Sequence, residues 1–135
     1  MTDDAIRLIV VDAANVVGSR PDGWWRDRAG AARRLLGQLA AAELDSVQPT
    51  EVTVVLEGAA KAALAGDAAE FDGLRVVPAA GSGDDEIVRV VAAAVAEQSD
   101  RMITVVTADR GLRERVEPFG AVTVGPRWLL EQLTP

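Results

Sequence analysis

At 135 residues the chain has the length of one domain with a real core, and 49% hydrophobic with 26% charged residues is a folded rather than a disordered composition. It has no cysteine and no histidine, which excludes disulfide scaffolds, thiolate zinc sites, Ser-His-Asp triads and histidine acid–base chemistry. Catalysis is left to carboxylates, hydroxyls, arginines or a metal, and the formal net charge of −7 opposes a polyanionic partner unless a cation neutralises part of it.

Five short hydrophobic runs, rich in Val and Ile and without polar alternation, read as strands buried on both faces: residues 6–11, 52–56, 74–78, 102–107 and 121–124. After the first run, residues 18–23 (Gly-Ser-Arg-Pro-Asp-Gly) read as a polar turn. Residues 26–44 carry Ala, Leu and Arg at helical spacing without proline. Residues 58–73 are rich in alanine and glycine, and a short helix and a loop both fit them. Residues 84–98 place Ile87, Val88, Val91 and Val95 on one helical stripe. A short helix over 110–117 stops at Pro118, and another over 126–133 begins with Pro126, suited to a first turn. Strand–helix alternation predicts a single α/β domain of three layers over residues 1–135. No stretch is long enough to span a bilayer. The apolar segment Ile6 to Val17 holds Asp12 and Asn15 and follows acids, unlike a signal peptide, so a cytoplasmic location is expected.

The acids are not scattered. Asp12 closes the first strand run, Glu57 the second, and Asp109 follows the fourth, while Asp84 and Asp85 open a helix after Gly81-Ser82-Gly83. In a parallel sheet the carboxyl ends of the strands share one edge, where ligands bind. Carboxylates gathered there repel one another unless a cation intervenes, so the pattern predicts a divalent-metal site of hard oxygen ligands, a type that usually acts on phosphates. Asp84 falls on the stripe of Ile87, Val88 and Val91 and is expected to point to the sheet edge, with Asp85 about 100° further round as helper. Each acid also has a plainer use: Asp12 and Asp109 as helix caps, Asp84 and Asp85 as partners of a helix dipole, Glu57 as the mate of an arginine. Thr107 reaches the same strand end as Asp109. Asn15 either orients substrate or closes a local turn.

Arginines are uneven: Arg20, Arg26, Arg28, Arg33 and Arg34 cluster, as do Arg110, Arg113 and Arg115, and Lys61 is the only lysine. Arg110 and Arg113 are candidates for a flanking phosphate. Trp24 and Trp25, beside Arg20 and Arg26, suit the stacking of single-stranded bases, although one tryptophan can equally pack a helix on the sheet. Competing phosphate folds lack their residues. Asp12 is followed by Ala13 and Ala14 rather than a second acid, no GxxxxGK[ST] loop exists, and the Gly81-x-Gly83 pair leads into acids that repel a pyrophosphate.

The opening Val10-Val11-Asp12-Ala13-Ala14-Asn15-Val16-Val17-Gly18 resembles the first motif of the NYN branch of PIN-like nuclease domains. Gly83-Asp84-Asp85-Glu86-Ile87, the segment Val105 to Gly111 and the ending Gly120-Ala121-Val122-Thr123-Val124-Gly125 match its later motifs, and together they look like the YacP-like group in an actinobacterial style. The resemblance covers nearly the whole chain. It implies a Rossmann-like sheet of about five parallel strands and Mg²⁺- or Mn²⁺-dependent cleavage of RNA. It carries metal-binding roles to Asp12, Asp84 and Asp109 and places Asn15 beside them. Relatives often have aspartate where this chain has Glu57. A second reading keeps the fold without catalysis, as a module binding RNA or a protein partner; a toxin-like ribonuclease held by an antitoxin is a third. The apolar segment Trp128-Leu129-Leu130 either packs on the body or forms an interface, as in a homodimer.

Overall fold

The computed structural model describes residues 7–20, 23–42, 50–58, 60–61 and 74–133. Among the described residues, strands β1 (Arg7–Asp12), β2 (Thr50–Leu56), β3 (Leu74–Pro78), β4 (Ile103–Val106) and β5 (Val122–Val124) form one sheet in the order β3-β2-β1-β4-β5. Every neighbouring pair is parallel. Helices α1 (Ala13–Gly18), α2 (Arg28–Ala41) and α5 (Pro126–Leu133) cover one face, and α3 (Gly83–Glu97) and α4 (Arg110–Val116) the other. Short 3-10 turns occupy Trp24–Arg26 and Glu117–Phe119. No described helix is long and apolar enough to cross a membrane.

The unalternating runs are explained by double burial. On β1, Ile9 and Val11 enter the core beneath α1, α2 and α5, while Leu8 and Val10 enter the core beneath α3 and α4. A strand buried on both faces disfavours charged residues until it ends, and β1 ends on Asp12.

Several expected boundaries shift for local reasons. Asp12 belongs to β1, where the run was expected to stop at residue 11. Asp27 caps α2, its Oδ1 accepting from Gly30 N at 2.9 Å, so Arg26 falls in the 3-10 turn and the helix starts at Arg28. Met102 is 56% exposed and stays outside β4. Val116 ends α4 just before Pro118, which sits in a 3-10 turn closed by Gly120 at φ 90°. The helix α1 was not anticipated. Its Val16 and Val17 are poor helix formers, but both are buried against the core, and packing overrides propensity. Gly18 therefore ends a helix rather than opening the polar turn, whose Pro21 and Asp22 lie outside the described residues, as do most of residues 58–73.

The strand order creates the place where a ligand can sit. From β1 the chain adds β2 and then β3 on one side; it then crosses back to lay β4 and β5 on the other side of β1. The connections diverge between β1 and β4, and at such a switch point open α/β sheets form a crevice above the carboxyl ends of the strands. Helix α3 makes the return, packing on β1 and β2 through Ile87 and Val91, both fully buried. Because Ile87 fixes the first turn of α3, it also fixes Asp84 over the crevice. Ile87→Ala is expected to cost about 2–5 kcal/mol, read as a lower urea midpoint at unchanged slope; a loss below 1 kcal/mol would show that α3 is not anchored there.

Candidate active site

Asp12 is the most constrained side chain at the edge. It is only 5% exposed and caps α1, with Oδ1 accepting from Asn15 N at 3.4 Å. Its Oδ2 accepts from the Thr107 hydroxyl at 2.9 Å. Thr107 Oγ1 in turn accepts from Asp109 N at 3.1 Å, so one hydroxyl bridges the first strand to the turn after the fourth. Asn15 closes the same seam: its Oδ1 accepts from Ala108 N at 2.8 Å. The carboxamide is thus used to hold the β4–α4 turn against α1, a use for Asn15 that local sequence spacing does not reveal.

Asp109 caps α4, Oδ1 accepting from Leu112 N at 3.1 Å. Asp84 sits in the first turn of α3, capped by Ser82, and is half-buried where Asp85 is exposed. It lies close enough to Asp109 and Glu57 to feel the charge of both. Asp85 instead pairs with Arg115 at 2.9 Å. Glu57 reaches α3 from the end of β2, its Oε2 accepting from Gly83 N at 3.0 Å. That approach needs glycine: a Cβ at position 83 would stand 2.9 Å from Glu57 Oε1.

The basic candidates divide. Arg113 is committed to the fold, its Nε and Nη2 donating to Thr107 O at 3.1 and 2.8 Å. Arg20 donates to Gln38 Oε1 at 2.7 Å and lies along α2. Arg26 stacks over the exposed Trp25 ring at 5.7 Å. Arg110 is exposed, next to Asp109. Trp128 is under Arg7, at 5.7 Å, and packs with Leu129 and Leu130 on the body. Sequence reading did not pair Arg115 with Asp85, nor bring Lys61 to this edge, where its Nζ donates to Ala79 O at 3.0 Å; partners on different elements leave no spacing signal.

Electrostatics follow from this crowding. Burial pushes the Asp12 carboxyl up to about 6 from 3.8, against the hydrogen bonds from Thr107 and Asn15, and the nearby charges of Asp84 and Glu57 add to the rise. Asp84 is also raised, first by burial and then by the charges of Asp109 and Glu57, with Arg115 working the other way. Among the described residues, no three acidic side chains already stand in a metal-holding arrangement. The donor set is nevertheless that of a hard divalent cation: carboxylate oxygens in mutual repulsion.

Asp12 also ties stability to pH. Below pH 3.8 it is protonated folded or unfolded; between 3.8 and about 6 the unfolded chain releases a proton that the folded chain keeps, so stability falls across that window and stays lowered above it. Without divalent metal, Asp12→Asn is expected to raise stability at neutral pH by on the order of 1–3 kcal/mol, and the gain should vanish near pH 3.5. Urea unfolding at both pH values checks this; a variant destabilised equally at both would contradict it.

Comparison with known proteins agrees with this fold. No curated protein matches the chain. The fold matches the crystal structure of Rae1 (YacP) from Bacillus subtilis with a TM-score of 0.74 at 20% identity, over 95% of this chain and 74% of that one. A single-substitution variant of the same protein matches with a TM-score of 0.73 at 19% identity, over 95% and 75%. Residues 9–135 match the family described as YacP-like NYN domain, a span that takes in every acid of the edge. The chain belongs to the YacP-like NYN domain family, within the PIN-like nucleases.

Proposed function

We propose that this protein is a ribonuclease that hydrolyses phosphodiester bonds within single-stranded or structured RNA, using Mg²⁺ or Mn²⁺. The observation that supports the reading is the placing of Asp12, Asp84 and Asp109, from three elements distant in sequence, at the carboxyl edge of the sheet, where the charge of Asp84 bears on Asp12 and that of Asp109 on Asp84. Membership of a PIN-like nuclease family supports the reaction class.

Asp12, Asp84 and Asp109 would hold the cation, with Asp85 and Glu57 at the margin, each tied to a neighbour of its own. Such an ion supplies Lewis acidity: it makes a water acidic enough to attack at neutral pH and offsets charge developing on the phosphate oxygens. The chain's part is placement. Thr107 and Asn15 N hold Asp12 by both oxygens, so this carboxylate is preorganised and its rotamer fixed. Asn15 Oδ1, by gripping Ala108 N, sets the start of α4 and hence Asp109. Arg110 and Asn15 Nδ2, without partners among the described residues, are left to donate to the phosphates flanking the cut, and Arg26 with Trp25 offers a surface on which an unpaired base can stack. Arg113 supports the site through Thr107 O rather than through substrate. Arg20 acts at most from a distance while it is bonded to Gln38.

The net charge of −7 favours a second reading, a module of this fold that binds without cutting. Labelled single-stranded RNA incubated with Mn²⁺, Mg²⁺ or EDTA separates the two. Metal-dependent cleavage is expected, and Asp12→Asn should lower it by at least ~100-fold while the far-ultraviolet dichroism stays that of the folded protein. Cleavage retained in the variant, or none by folded wild type with metal, would overturn the assignment.

A further inference from the structure

A cavity of about 250 Å³ lies beside the acidic edge, between α1, α2 and the turn after β2. Its walls are small and apolar, from Ala13, Ala14, Val17 and Ala32, with Glu57 and Arg28 as the charged groups on its lining. The volume is below the ~300–1,000 Å³ of pockets that enclose drug-sized ligands, so it suits a single flat ring system rather than a whole nucleotide. Glu57 belongs to both places. Its Oε2 is anchored on Gly83 N, and its charge is felt by Asp12 and Asp84, so the cavity adjoins the acidic edge. Among the described residues nothing donates to Oε1.

A carboxylate only accepts hydrogen bonds, and that selects the ring. Guanine presents two adjacent donors, N1–H and N2–H, on its Watson–Crick edge. Adenine and cytosine each set a ring-nitrogen acceptor beside their one amino group, and uracil flanks its one N–H with two carbonyl oxygens. Against a carboxylate those acceptors are repelled, whereas single-stranded RNA can splay a guanine out and offer its edge. We propose that the cavity seats a guanine base next to the cleaved phosphate, with Glu57 accepting from N1–H and N2–H. The place of the cut relative to the base rests on the nuclease reading above; the recognition of guanine does not. Glu57 is then a specificity-determining residue, at the margin of the cation site and not one of the three acids that hold the ion.

Uridine-rich single-stranded RNA carrying one guanosine tests this with wild type, Glu57→Gln and Ala14→Leu. Ala14 is exposed, so leucine there fills the cavity without entering the core. Wild type is expected to cut beside guanosine about tenfold faster than beside uridine, and both variants should bring that ratio near one. A ratio unchanged in both variants, or Glu57→Gln slowing both kinds of site equally, would overturn the proposal. If wild type cuts no RNA the nuclease reading fails, and binding decides the cavity alone. In EDTA, calorimetry should show guanosine monophosphate binding about tenfold tighter than uridine monophosphate, a difference lost in Ala14→Leu; equal binding would overturn it.

Discussion

Asp12 has almost no solvent around it, yet it stands where the sheet's connections diverge and where a ligand would enter. The burial is tolerable because the Thr107 hydroxyl and Asn15 N each donate to one of its oxygens. The same contacts align the rest of the edge. Thr107 joins β1 to the β4–α4 turn, the turn sets the Asp109 cap, and the charge of Asp109 bears on Asp84 of α3. Two backbone ties continue the chain of support: Thr107 N donates to Val124 O, and Arg113 holds Thr107 O. Above the last backbone pair of β1 and β4, the Asp12–Thr107 contact carries the connection up to the turn, beside the Asn15–Ala108 bond.

This arrangement leaves an electrostatic debt that stability alone does not explain. A fold selected only for stability would place an apolar residue at position 12 and spread the acids apart. Here burial and neighbouring negative charge both raise Asp12, and Asp84 rises with it. Perturbed carboxyls gathered in a crevice mark functional sites more often than structural ones. A divalent cation reverses the sign of the problem, turning repulsion among carboxylates into attraction toward one centre. The chain-wide charge of −7 is consistent with that, since acids concentrated at a cation site contribute to the total without forming a surface that faces RNA.

Much of the scaffold was legible because double burial and helix periodicity are local properties. The run at 74–78 and the helix at 126–133 coincide with β3 and α5 residue for residue. Asp84 facing the edge with Asp85 turned outward followed from the stripe of Ile87 and Val91. Helix α1 was hidden because Val16 and Val17 are poor helix formers and become helical only through tertiary packing. The grip of Asn15 on Ala108 N and of Arg113 on Thr107 O was equally hidden. In each case a short-range role was available, and only the approach of β1 to β4 decides which group the side chain meets. The cavity beside Glu57 gives no sequence signal at all, because its walls are alanines that any helix could carry.

The central claim is that the crevice acids form one cation site with Asp12 in it, and Mn²⁺ calorimetry in buffers of different ionisation enthalpy tests it most directly. Near pH 5.5 a group raised to about 6 is largely protonated, so binding must displace its proton and the measured heat should change with the buffer. The account predicts saturable binding with proton release near pH 5.5, release that fades by pH 8, and loss of both in Asp12→Asn. No saturable binding at millimolar Mn²⁺, or binding that Asp12→Asn leaves intact, would contradict it.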